Sequence, residues 1–361
     1  MRIALLTYST KPRGGVVHTL ALAEALAAAG QDVTVWTLGR GGDSRFFRPV
    51  DPRVRQQVVP FADGPPGESV GERILRSIAV LRDAFDPRVY DIVHAQDCIS
   101  ANAAGPCVRT VHHLDQFTTP ELVACHEKAI TEPYAHICVS TAVARELAGG
   151  WGITAEVIPN GVDHERFATT DPAARDRWRT RLGRYLLTVG GIEPRKGSLD
   201  LLDAYALLRR DLPDVRLVVA GGETLFDYRD YRARWEEHAA ALGVAPVVLG
   251  AVPDGDLPPL VAAAAAFAFP SVKEGFGLAA MEALAAGVPV VVRDLPVLRE
   301  VFGPAARFAT DAPTFAAALT TALTRDDPAR RAAGRDLAAR HTWADAARRH
   351  LTFYRTNVLI P

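Results

Sequence analysis

Lysine is scarce in this chain: it supplies four of the 41 basic residues, and methionine occurs twice in 361 positions. Cysteine is also sparse. Cys98, Cys107, Cys125 and Cys138 all fall in the first half and form no Cys-x-x-Cys pair. That pattern excludes a disulfide scaffold and a zinc ribbon, and it reads as buried, reduced thiols in a cytoplasmic protein. No long apolar run is present. The longest uncharged stretch, 257–272, is broken by Pro258, Pro259 and Pro270, too short and interrupted to cross a bilayer. The opening residues read as a strand followed by Lys11 and Arg13, without the extended apolar core of a signal peptide. An excess of either charge is missing too, since the formal net charge is -1. Nucleic acid is therefore not expected as a partner. Peripheral membrane contact is left open and is not indicated: Arg73, Arg76 and Arg82 share one helix, but a solvated face explains them.

What is present is the composition of a soluble globular chain, 48% hydrophobic and 23% charged, with length enough for two cores. Up to Glu165 there are 15 basic against 19 acidic residues, and after it 26 against 23. The second half is the one whose charge suits an anionic ligand. Strand-like and helix-like segments alternate, the grammar of parallel βαβ units. The first series has strands at 2–6, 33–38, 92–94, 108–111, 137–140 and 157–158, with a helix over 17–29 ending at Gly30. The pattern restarts with strands at 185–189, 216–220, 247–249, 266–269 and 288–292 and helices over 199–209 and 231–242. Two doubly wound α/β domains of Rossmann-like kind are expected, facing across a cleft, with ligands at the carboxyl ends of the strands. The expected boundaries are 1–165, 166–340 and a terminal segment, 341–361, whose helix over 344–354 folds back on the first domain.

The most informative stretch is 269–292. An apolar run ends at Pro270, the loop Glu274-Gly275-Phe276-Gly277 follows, and a helix opens at Leu278 and is closed by Gly287. Glycines let backbone N–H groups approach a ligand, and a helix N-terminus suits a phosphate. Glu274 and Glu282 bracket the element. Carboxylates beside an anion repel it unless they accept hydroxyls, so a ligand carrying both phosphate and vicinal hydroxyls, a sugar nucleotide, satisfies all of these groups.

The Glu–seven residues–Glu spacing around Gly-Phe-Gly resembles the donor-site motif of glycosyltransferase family 4, retaining enzymes of the two-domain GT-B fold. The resemblance extends in order through Gly14-Gly15, Asp91-Ile92-Val93-His94, Ile158-Pro159-Asn160-Gly161-Val162-Asp163 and Glu193-Pro194-Arg195-Lys196-Gly197, covering roughly 1–302. It implies a retaining transferase that moves a sugar from a nucleoside diphosphate sugar to the hydroxyl of a small-molecule, glycan or glycolipid acceptor. A front-face mechanism with neither metal nor cofactor is implied with it. A catalytically silent sugar-nucleotide-binding protein and a sugar-nucleotide epimerase are the competing readings.

Catalytic roles are expected at His112, Arg195, Lys196 and Glu274. Arg195 and Lys196 beside a helix start make a diphosphate clamp, one a planar fork and the other a point charge. The chain departs from the family at Gly191, where relatives place an arginine, and Arg195 is expected to supply that charge. Glu282 is expected to take the ribose hydroxyls, and Glu274 to lie near the transferred sugar. Gly14, Gly15, Gly275, Phe276, Gly277 and Leu278 complete the donor contacts, with Phe276 read chiefly as a wedge under the loop. One of His112 and His113 is implied to face the donor sugar, and the choice between them stays open.

Overall fold

The computed structural model describes residues 1–115, 117, 119–221 and 228–358. It divides into two compact units, Met1–Gly161 joined by the terminal helix Trp343–Asn357, and Val162–Thr342. The divisions fall at 161/162 and 342/343, where the sequence reading drew them at 165/166 and 340/341.

The first unit is built on seven parallel strands: β1 (Arg2–Leu6), β2 (Asp32–Arg40), β3 (Val54–Phe61), β4 (Ile92–Ala95), β5 (Val108–Val111), β6 (Ala135–Cys138) and β7 (Glu156–Val157). Their order across the sheet is β3-β2-β1-β4-β5-β6-β7. The chain therefore reverses direction of winding between β1 and β4, which pair with Ile3 opposite Ile92. Ile3, Leu5, Val33, Ile92, Val108 and Ile137 form one core under helix Gly14–Ala28. The central strands are buried and mainly apolar because helices cover both faces of a parallel sheet, with His94, Arg109 and Thr110 as buried polar exceptions. The terminal helix buries Ala346, Ala347, His350, Leu351 and Tyr354, an i, i+4, i+8 stripe, against this same core. Tyr354 Oη lies 2.7 Å from His94 Nδ1, and Arg349 donates to Val157 O at 2.5 Å.

The second unit has six parallel strands: β8 (Tyr185–Val189), β9 (Arg216–Ala220), β10 (Val247–Gly250), β11 (Ala266–Phe269), β12 (Val290–Arg293) and β13 (Arg307–Ala309). Their order, β10-β9-β8-β11-β12-β13, repeats the winding of the first unit. β8 and β11 are neighbours at the reversal, with Leu187 opposite Phe267. The loops that leave their carboxyl ends open side by side, the position at which doubly wound sheets bind ligands. Each unit has the Rossmann-like α/β topology expected from the alternation of segments. β3 and β13 are additions to it, and helix limits shift by a few residues: the first helix begins at Gly14, not at 17.

Candidate functional site

The loop after β8 runs through Gly190 and Gly191 into a single turn, Pro194–Lys196, and Gly197 then starts helix Ser198–Asp211. Gly197 has φ +63°, and a Cβ there would collide with Pro270 O, so both conformation and space demand glycine. Val272 N donates to Arg195 O at 2.9 Å, which fastens this turn to the loop after β11. The result brings together residues 78 and 79 positions apart. Glu274 Oε1 accepts from Lys196 Nζ at 2.5 Å and from Arg195 Nη1 at 3.2 Å. Arg195 also donates from Nη1 to Lys273 O and from Nη2 to Glu193 Oε1, at 3.2 and 3.1 Å.

Glu274 is only 10% exposed at its side chain and Lys196 20%. Burial lowers the Lys196 pKa, while the Glu274 charge beside it pulls the other way. Lys196 Nζ also sits 5.2 Å from the centre of the Phe269 ring. Two cations and two carboxylates thus share a partly dry corner at the reversal of the sheet. Gly190, Gly191, Lys196, Phe269, Pro270 and Ser271 line a recess there. Ser271 is buried, and its Oγ has no hydrogen-bond partner among the described residues.

Gly277 caps helix Leu278–Ala285 with φ +95°, and a Cβ on it would press to 3.0 Å from the Phe302 ring. Leu278 therefore opens the helix with its first N–H groups lacking intrahelical acceptors. Gly275 and Phe276 precede it in the loop, both buried. The Phe276 ring is 3% exposed and packs 5.7 Å from the His341 ring. Glu282 is half-buried one turn into the helix, and its carboxylate has no hydrogen bond to the described residues. Burial pushes its pKa up to about 7; Arg166 opposes this, and Asp254 and Asp163 add to it.

Arg166 and Asp254 carried no signal as site residues in the sequence. The structure pairs them at 2.8 Å beside Glu282. Asp254-Gly255-Asp256 is also an Asp-x-Asp spacing, which the expectation of a metal-free site does not take into account. It forms a short turn, and among the described residues no group of three His, Cys, Asp or Glu side chains is placed to hold a metal ion.

In the first unit, Gly14 and Gly15 are the first two residues of their helix. A Cβ on Gly15 would stand 3.8 Å from His112 Cδ2, so the glycine and this histidine meet at the carboxyl end of the sheet. The His18 ring is 4.7 Å from that of His112 and bonds Asn160 Oδ1 through Nδ1 at 2.9 Å. Desolvation lowers the His112 pKa well below the ordinary histidine value and takes His18 to about 3, so both rings are neutral at pH 7. His112 Nε2 is buried without a hydrogen-bond partner among the described residues. His113 is directed elsewhere, to Asp115 at 3.2 Å. His94 is a packing residue bonded to Tyr354 and Thr110.

Two Rossmann-like units in succession, with the second carrying cations and carboxylates at the reversal of its sheet, are the architecture of the GT-B class. The fold agrees over nearly the whole chain with sucrose-phosphate synthase from Thermosynechococcus elongatus (TM-score 0.79, 21% identity, 98% of each chain covered). It also agrees with Anabaena HepE in complex with UDP-glucose (TM-score 0.74, 20% identity, 99% of this chain and 100% of that one). The profile described as Glycosyltransferase Family 4 matches residues 12–166, and that of Glycosyl transferases group 1 matches 175–337. The phosphatidyl-myo-inositol mannosyltransferase of Mycolicibacterium smegmatis is 32% identical over 359 residues, covering 90% of this chain and 86% of that protein. A glycogen synthase of Mycobacterium tuberculosis is 29% identical, covering 98% and 90%. The chain belongs to the GT4-type glycosyltransferases. It is a hexosyltransferase-type enzyme that takes its sugar from a nucleotide-sugar donor. Among the described residues no helix is long and apolar enough to cross a membrane.

Proposed function

We propose that this enzyme transfers a hexose from a nucleoside diphosphate sugar to an acceptor hydroxyl with retention of anomeric configuration and without a metal ion. The observation that carries the reading is the convergence of Arg195, Lys196 and Glu274 at the reversal between β8 and β11. A donor diphosphate displaces Glu274 from the cations, and the released carboxylate accepts hydroxyls of the transferred sugar. Glu282 takes the ribose hydroxyls, and N–H groups from Gly275 to Leu278 face the phosphates.

As the glycosidic bond breaks, negative charge grows on the leaving phosphate oxygen. Arg195, Lys196 and the helix end at Leu278 stabilise that charge in place, with no reorganisation needed at the moment of reaction. They also supply the positive charge that a divalent ion supplies elsewhere. Retention follows the chemistry of the family: the acceptor hydroxyl attacks the face the diphosphate leaves, and its proton passes to the leaving phosphate oxygen. In the first unit, neutral His112 beside Gly15 is assigned to the sugar side, with Gly14 at the same helix start; His113 is the lesser candidate. The relatives' names make mannosyl and glucosyl donors the first to try, with inositol lipids and glycans as acceptors.

The test is Arg195→Ala with Lys196→Ala. The folded double variant should lose donor turnover and bind nucleoside diphosphate at least 100-fold more weakly by calorimetry. Near-normal affinity would reject the clamp.

A further inference from the structure

Arg293 ends β12, where three valines precede it, and it is 9% exposed. Its guanidinium donates from Nε to Pro270 O at 2.8 Å, from Nη1 to Thr310 O at 2.9 Å and from Nη2 to the Asp200 carboxylate. Its Cζ lies 5.5 Å from the centre of the Phe315 ring. The three acceptors sit on three segments. Pro270 opens the loop that carries Glu274, Asp200 is the third residue of the helix that starts after Lys196-Gly197, and Thr310 follows β13. A Cβ on Gly197 would stand 3.1 Å from Arg293 Nη2, so the guanidinium is packed against the turn that carries Lys196.

Taking a cation out of water is costly unless its donors are met, and here two of the three acceptors, Pro270 O in the Glu274 loop and Asp200 just after the Lys196-Gly197 turn, belong to the loops of the donor site, with Thr310 O beyond β13 as the third. An apolar residue like the preceding valines would fill the strand end more simply but could not join those loops. We propose that Arg293 is a positioning residue: its planar fork fixes the spacing between the Arg195-Lys196 turn and the Glu274 loop, and through it the fit of a diphosphate. The inference rests on the reading of these residues as a diphosphate clamp. Lysine cannot replace the fork, because one ammonium on a flexible stem cannot hold three acceptors in fixed directions.

The readout is the ratio of affinities for a nucleoside diphosphate and its monophosphate, measured by calorimetry with UDP and UMP, GDP and GMP, and ADP and AMP, using the pair the wild type binds best. General loosening of the unit weakens both members together; a mis-set clamp weakens the diphosphate alone. Arg293→Ala should lower the ratio at least tenfold with monophosphate affinity within twofold of wild type. Arg293→Lys and Asp200→Asn should lower it severalfold, and the Arg293→Ala, Asp200→Asn double variant should add little to Arg293→Ala alone. If Arg293→Ala does not fold, Arg293→Lys and Asp200→Asn decide. An unchanged ratio in the folded variants, or equal losses for both nucleotides, overturns the proposal and leaves the clamp standing. A wild-type enzyme that gains nothing from the second phosphate overturns the clamp itself, and the role of Arg293 with it.

Discussion

Replacing Glu282 with glutamine has two opposed consequences that both follow from one half-buried carboxyl. Its folded-state pKa is raised from 4.5 to about 7, mainly by burial. A raised pKa means that the folded protein holds this proton more tightly than the unfolded chain. The stability so gained is complete below pH 4.5 and is lost as pH rises to about 7. Ionised Glu282 therefore costs the nucleotide-free enzyme up to about 3 kcal/mol, with the opposing pull of Arg166 already included. Glutamine keeps the shape and cannot ionise. Glu282→Gln should be more stable than wild type at pH 8 by about 1–3 kcal/mol in urea unfolding, and close to it at pH 5. Donor binding runs the other way. Ribose hydroxyls donate best to a carboxylate, so wild-type affinity for a sugar nucleotide should climb between pH 5.5 and 7.5, by roughly 30-fold for a pKa that falls well below this range on binding. A sugar nucleotide is the right titrant because its phosphates do not titrate there. Lys196, whose pKa is lowered, sets the opposite alkaline limb. At pH 8, Glu282→Gln should bind about 10- to 100-fold more weakly, the loss of a hydrogen bond to a charged group, and its acid limb should vanish. A variant that gains no stability at pH 8, or that keeps the acid limb of donor binding, refutes the reasoning.

Three further outcomes are expected. Glu274→Gln should bind sugar-free nucleoside diphosphate several-fold more tightly, since a competing anion leaves the two cations, while turnover falls by at least tenfold; weaker diphosphate binding in calorimetry would contradict the displacement of Glu274. Turnover should survive a chelator, and activity lost and restored only by added divalent metal would overturn metal independence. Proton NMR of the first product formed should show the donor's own anomeric configuration, and an inverted linkage would dismiss the front-face scheme.

The interior strands were plain in the sequence because a parallel strand covered on both faces is apolar at nearly every position, as in Ala266–Phe269 and, but for Thr188, Tyr185–Val189. β3 and β13 were missed for reasons that belong to sheet edges. β3 exposes Arg55, Gln56, Gln57 and Pro60, which breaks the apolar pattern, and β13 is three residues long. The loops of the site were legible because glycine, proline and charge punctuate them within a few residues. Their mutual pairing was not, since nothing local joins Lys196 to Glu274 across 78 positions. Arg166, Asp254, Ser271 and Arg293 were silent for the same reason: an isolated arginine, aspartate or serine acquires meaning only from what the fold sets beside it. The proposal of His112 over His113 likewise draws on contacts the sequence does not display, Gly15 beside one ring and Asp115 beside the other.

The central claim is that Arg195 and Lys196 bind the diphosphate of a sugar nucleotide. Its most direct measurement is thermal unfolding of the wild type and of the Arg195→Ala, Lys196→Ala variant against UDP-, GDP-, ADP- and dTDP-linked glucose and mannose. A ligand at 100 times its dissociation constant stabilises by about 2.7 kcal/mol, a shift of several degrees. The account predicts that shift for wild type with one nucleotide class and none for the variant. An unmoved wild type across the whole panel, or an equal shift in the folded variant, would contradict it.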